Sequence, residues 1–114
     1  MKILVTGGAG YIGSHVVKLL LENSEHEITI LDNLVTGFQE TMDALGIIAK
    51  ENSASLNFLK EDLSDFKIVE RIMREYRFDA IIHFAAYLVV PESVENPLKY
   101  YLNNTGNTSN LIKC

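Results

Sequence analysis

Gly7, Gly10 and Gly13 stand at G-x-x-G-x-x-G spacing in the run Val5-Thr6-Gly7-Gly8-Ala9-Gly10-Tyr11-Ile12-Gly13-Ser14-His15. The apolar segment Lys2-Ile3-Leu4-Val5 precedes that run, and Ile12, Val16, Leu19 and Leu20 continue it at helical spacing. A glycine-rich turn between a buried strand and a helix suits a dinucleotide pyrophosphate. The glycines permit a tight turn and close backbone approach, and the helix N-terminus offers unpaired N–H groups and a positive dipole end. Asp32 follows the last of these glycines by 19 residues, and a strand-end acid that recognises ribose falls about 20 residues on. A carboxylate there accepts from both ribose hydroxyls and repels a 2′-phosphate. No arginine follows in Asn33-Leu34-Val35-Thr36-Gly37, so the pattern predicts NAD rather than NADP. The plainer alternative is that Asp32 only starts a turn with Asn33.

Two further groups could serve the same ligand. Asp62, in Glu61-Asp62-Leu63-Ser64-Asp65, sits where the carboxyl end of a strand faces a ligand crevice, and it could accept from an adenine amino group. Helix capping is its alternative role, better suited to Ser64 or Asp65. His83-Phe84-Ala85-Ala86 ends another apolar run. Small residues there let the backbone pass close to a cofactor, and Phe84 can shield it. A satisfied core histidine is the favoured reading of His83. His15 and His26 have no partner pattern, and no His, Cys and carboxylate spacing suggests a metal.

The elements that must position these groups alternate along the chain. Strands are expected at Ile3–Thr6, Glu27–Leu31, Leu56–Lys60 and Ala80–Phe84, each a near-continuous apolar run of the kind covered on both faces. Helices are expected from about Tyr11 to Glu22 and from about Gln39 to Lys50, the latter with Met42, Leu45 and Ile48 or Ala49 inward. A third helix starts near Asp65, an expected N-cap, with Phe66, Val69, Ile72, Met73 and Tyr76 on one stripe. A fourth starts at Asn96-Pro97, with Leu98, Tyr101, Leu102, Thr105 and Ile112 inward. The order predicts an α/β fold: a partial Rossmann-type doubly wound parallel sheet of about four strands in the order 3-2-1-4, the fourth an exposed edge.

Composition bounds the rest. A length of 114 residues allows one domain, and 47% hydrophobic with 22% charged residues is ordinary for a globular chain. A net charge of −5 argues against nucleic acid as a partner. No apolar stretch reaches the length of a membrane span, and the N-terminal apolar run is too short for a signal peptide. The lone Cys114 excludes an internal disulfide and fits a reducing cytoplasm.

Beyond the glycine run, Asp32-Asn33-Leu34, Asp62-Leu63, His83-Phe84-Ala85-Ala86 and Glu92-Ser93-Val94 resemble the extended short-chain dehydrogenase/reductases. The segment Asn96-Pro97-Leu98-Lys99-Tyr100-Tyr101-Leu102-Asn103-Asn104 is similar to that of the UDP-glucose 4-epimerases, over the N-terminal third of such an enzyme. The resemblance implies an NAD-retaining enzyme that inverts C4 of a UDP-hexose by reversible oxidation, cytoplasmic and homodimeric when complete. It places Gly7, Gly10, Tyr11, Ile12 and Gly13 at the pyrophosphate and Asp32, Asn33, Leu34, Val35, Thr36 and Gly37 along the adenosine ribose. Asp62 and Leu63 would meet adenine, and Phe84, Ala85, Ala86, Tyr87, Leu88 and Asn103 would flank the rest of the cofactor. Leu88 stands where many epimerases have lysine, and Pro91 where a glycine is common. These departures leave room for a broader enzyme that also takes N-acetylated sugars. The family's Tyr-x-x-x-Lys does not occur, because none of the five tyrosines has lysine four residues on. The resemblance therefore implies no catalytic residue in this chain and no turnover by these 114 residues alone. A binding module without catalysis, or the first part of a sugar-nucleotide 4,6-dehydratase, are the alternatives.

Overall fold

The computed structural model describes residues 1–23, 25–34, 39–85 and 112. Its elements are β1 (Lys2–Thr6), α1 (Tyr11–Glu22), β2 (Glu27–Leu31), α2 (Gln39–Glu51), β3 (Ser55–Leu59), α3 (Phe66–Tyr76) and β4 (Ala80–His83). The four strands form one parallel sheet in the order β3-β2-β1-β4. Both the Rossmann-type α/β class and the strand order agree with the sequence reading. Of the expected fourth helix only Ile112 is described. It is helical and 79% exposed, so the inward position expected for it is not seen.

Alternation along the strands builds two cores. Ile3, Val5, Ile28 and Ile30 pack with Val17 and Leu21 of α1 and with Met42, Leu45 and Ala49 of α2. Leu4 and Leu31 face the other way, toward Leu63 and toward Val69 and Ile72 of α3. Successive strand side chains point to opposite faces, so one five-residue strand feeds both layers.

The central strands β1 and β2 are buried as expected. The outer strands β3 and β4 are only half-covered, and Ile81 is 39% exposed. Each pairs on one side only among the described residues. The stripe expected on α3 is correct at Val69 and Ile72, whereas Phe66, the first helical residue, stays exposed. Asp65 is the N-cap, its carboxylate accepting from Ile68 N–H at 3.3 Å.

The inward face of α1 differs from the apolar spacing. Gly13, Val17 and Leu21 are buried, while Ile12 and Leu19 are exposed. The reason is steric. Gly13 lies against the Gly7 carbonyl, where a Cβ would come to 2.3 Å of the oxygen. The helix therefore turns its side-chain-free position inward, and residues at i+4 and i+8 follow it.

Gly46 has no such reason to be glycine. A Cβ there meets nothing within 4 Å. Gly46→Ala should stabilise the fold by about 0.5–1 kcal/mol, from helix propensity and a less flexible unfolded chain. A higher urea midpoint at unchanged m-value checks this.

Candidate functional site

The carboxyl ends of all four strands meet in one place. The ladder runs past the strands: Gly7 N–H donates to Leu31 O at 2.9 Å, Asp32 N–H to Leu59 O at 3.2 Å and Phe84 N–H to Thr6 O at 2.8 Å. These bonds set the glycine turn, the Asp32 turn and the β4 exit side by side. In an open α/β sheet, the crevice outside the strand carboxyl ends is where ligands bind.

The glycine turn forms its wall. Gly7 has φ +70°, and a Cβ on it would lie 2.7 Å from both Phe84 C and Ala85 N. The β4 exit thus passes directly over Gly7, a contact only glycine allows. Gly10 is the N-cap of α1, with extended φ −78° and ψ 176° and no side-chain cap, and the first turn holds no acidic residue. Nothing in the sequence of that helix end competes with an anion for its N–H groups or its dipole. Tyr11 and Ile12 open the helix with exposed side chains. The Tyr11 ring leans on His15, at 4.8 Å between centroids, and the Tyr11 carbonyl accepts from Ser14 Oγ at 3.0 Å.

Asp32 is buried, at 8% exposed. Its Oδ2 accepts from Ala9 N–H at 3.0 Å and its Oδ1 from Leu34 N–H at 2.8 Å. The turn reading and the ribose reading are therefore compatible. A carboxylate offers about four lone-pair sites, so these two bonds leave others for ribose hydroxyls. Leu34 adopts the left-handed region, φ 62°, which is uncommon for a leucine. The Asp32 bond to Leu34 N–H and apolar packing of the Leu34 side chain hold it there.

Asp62 joins the β3 exit to the β2 exit. Its Oδ1 accepts from Ser64 N–H at 2.9 Å, and its Oδ2 from Asn33 Nδ2 at 3.3 Å. The Ser64 N–H is the main reason its carboxyl is held below the ordinary value. Burial opposes that shift, and side-chain bonds from Ser64 and Asn33 add to it. Leu63 is buried in the α3-side core. Phe84 and Ala85 are half-buried over the turn. Val35, Thr36, Gly37, Ala86, Tyr87, Leu88 and Asn103 lie outside the described residues.

Sequence reasoning missed Thr6 and Ala9. The fully buried Thr6 hydroxyl is hydrogen-bonded to His83 Nδ1 and accepts from Ala85 N–H at 3.4 Å. A polar residue closing an otherwise apolar strand was the available signal. His83 is part-buried and partnered, as the core reading expected. Among the described residues no group of three or more His, Cys, Asp or Glu could hold a metal, and no helix is long and apolar enough to cross a membrane.

The fold and the crevice define a Rossmann-type α/β protein. A family profile described as GDP-mannose 4,6 dehydratase matches residues 4–114, and the chain belongs to that family. It is also similar to the UDP-glucose 4-epimerase of Lacticaseibacillus casei, 41% identical over 113 residues that cover 99% of this chain and 31% of the relative. Among solved structures it is similar to the UDP-Glc/GlcNAc 4-epimerase of Campylobacter jejuni. That match has 48% identity and a TM-score of 0.89, over 98% of this chain and 32% of the other. The UDP-glucose 4-epimerase of Bifidobacterium longum, solved in complex with NAD+ and UDP, is 33% identical with a TM-score of 0.87, over 99% and 32% of the two chains. The resemblance to UDP-glucose 4-epimerases read from the sequence is borne out. The chain spans about a third of the length of the curated relatives it matches.

Proposed function

We propose that residues 1–114 form the NAD-binding domain of an enzyme that interconverts UDP-hexoses at C4. The carrying observation is the glycine turn closed by the β4 exit, with the Asp32 carboxylate fixed beside it. The residues fit the group. Gly7 leaves the space a Cβ would fill, and the α1 N-terminus is free of side-chain caps and first-turn acids. Gly7, Gly10, Tyr11, Ile12 and Gly13 would face the pyrophosphate. Asp32, Asn33, Leu34, Val35, Thr36 and Gly37 would line the ribose, and Asp62 with Leu63 the adenine. Phe84, Ala85, Ala86, Tyr87, Leu88 and Asn103 complete the site in this reading.

When bound, NAD supplies reversible hydride acceptance for oxidation of a sugar carbinol. This chain's own residues bind and orient. Backbone N–H groups of the glycine turn and the α1 N-terminus would hydrogen-bond the pyrophosphate oxygens. Asp32 selects an unphosphorylated ribose. The proton-transferring tyrosine and lysine belong to the rest of the enzyme, which acts in the cytoplasm as a homodimer. The relatives' names support the UDP-hexose, and the Campylobacter jejuni enzyme's name supports a range that includes N-acetylated sugars.

The test is turnover by the full-length protein. UDP-galactose should give UDP-glucose, and UDP-N-acetylglucosamine its C4 epimer, with no net change in NAD. The description of the matching family favours a second reading, sugar-nucleotide 4,6-dehydration. A 4-keto-6-deoxy product with loss of water would establish that reading and sink the epimerase. Bound NAD with neither product would leave a binding module.

A further inference from the structure

Thr6 and His83 are register partners on the adjacent parallel strands β1 and β4. The Thr6 carbonyl accepts from Phe84 N–H at 2.8 Å, and its hydroxyl accepts from Ala85 N–H at 3.4 Å while bonding His83 Nδ1. One residue therefore ties down the whole β4 exit. A hydroxyl has one proton to give and two lone pairs. With Ala85 N–H on one lone pair, the hydroxyl keeps its proton and a second lone pair for the imidazole. Burial lowers the His83 pKa and so favours the neutral ring, which can accept that proton. The Phe84–Ala85 peptide held in this way is the one that a Cβ on Gly7 would strike. The clasp thus sets the height of the β4 exit above the glycine turn.

We propose that His83 is a positioning residue for dinucleotide binding. Its Nδ1 accepts the Thr6 hydroxyl proton, orients that hydroxyl toward Ala85 N–H, and so keeps the Phe84–Ala85 peptide seated on Gly7. The role rests on the crevice being a dinucleotide site. It explains why a polar pair closes the apolar runs of two strands at the register position next to the turn. A plain core histidine needs a partner, but nothing requires that partner to hold the strand exit as well.

The experiment compares His83→Leu with His83→Asn in the full-length protein. The asparagine side chain returns an acceptor near the position of Nδ1. His83→Leu should weaken NAD about tenfold and speed amide exchange at Ala85, the loss expected for one oriented hydrogen bond. His83→Asn should restore most of both. Nitrogen-15 NMR of the wild type should show an acceptor at Nδ1, not an N–H. An Nδ1–H, equal losses in the two variants, or unchanged NAD binding in both overturns the proposal. Should His83→Leu fail to fold, Thr6→Ser against Thr6→Val asks the same question, and equal NAD affinity in that pair overturns it. Wild-type protein that binds no NAD overturns the dinucleotide reading and this role with it, while the NMR signals report separately whether the clasp exists.

Discussion

Alanine at position 13 should abolish measurable NAD binding and lower stability, although it adds a residue of higher helix propensity. Its Cβ would lie 2.3 Å from Gly7 O, 3.0 Å from Gly7 C and 3.1 Å from Gly8 Cα. All three are backbone atoms, so no rotamer change relieves the clash. The helix gains roughly 1 kcal/mol from replacing glycine. Overpacking costs about 1–3 kcal/mol, and here it falls on the turn that must cradle the ligand. The net loss of stability should be up to about 2 kcal/mol, with NAD affinity reduced at least about 100-fold as the turn moves. Gly46→Ala is the control, since it carries the same propensity gain with no clash. Denaturant midpoints and calorimetric titration of the full-length protein measure both. If Gly13→Ala bound NAD as tightly as wild type, the turn would not be the pyrophosphate site.

Asp32→Ala should act on two levels. It removes the acceptor for Ala9 N–H, and Ala9 is only 2% exposed. A buried donor left without a partner costs about 1–3 kcal/mol. It also releases Leu34 N–H, and with it the restraint on a leucine at φ 62°. Beyond this stability loss, selectivity should shift. The carboxylate attracts ribose hydroxyls and repels a 2′-phosphate, so NAD should weaken by about 100-fold and NADP by much less, from two or more charge-assisted bonds lost against one repulsion relieved. The two dissociation constants, measured side by side, decide the point. An unchanged NAD-to-NADP ratio would leave Asp32 with the structural role alone.

The sequence made some of this legible and hid the rest for physical reasons. The strand order followed from alternating apolar runs and the rule of parallel crossovers, and the Asp65 cap followed from its place before an apolar stripe. Asp32 was visible because its distance from the glycines is fixed by one βαβ unit. The rotation of α1 was not visible. A count of apolar residues favours Ile12 and Leu19, whereas contact with the Gly7 carbonyl turns Gly13 inward. The Ala9–Asp32 bond joins residues 23 apart, and the Thr6–His83 bond joins residues 77 apart. Neither leaves a local pattern. Leu34 gives no sign of its positive φ, because leucine is not a turn residue, and the Asp32 bond together with tertiary packing keeps it there.

The seat of Gly7 beneath Phe84 and Ala85 also sets a schedule. During synthesis the first strand emerges early, yet its partner on one side is β4, with Thr6 and His83 separated by 77 positions. At roughly 5–20 residues per second, the ribosome takes about 4–15 s to deliver that partner. Until then β1 has β2 at most for a strand partner, and the glycine turn has no roof. A nascent chain stalled before residue 84 should therefore hold the glycine motif in full and have no formed pocket.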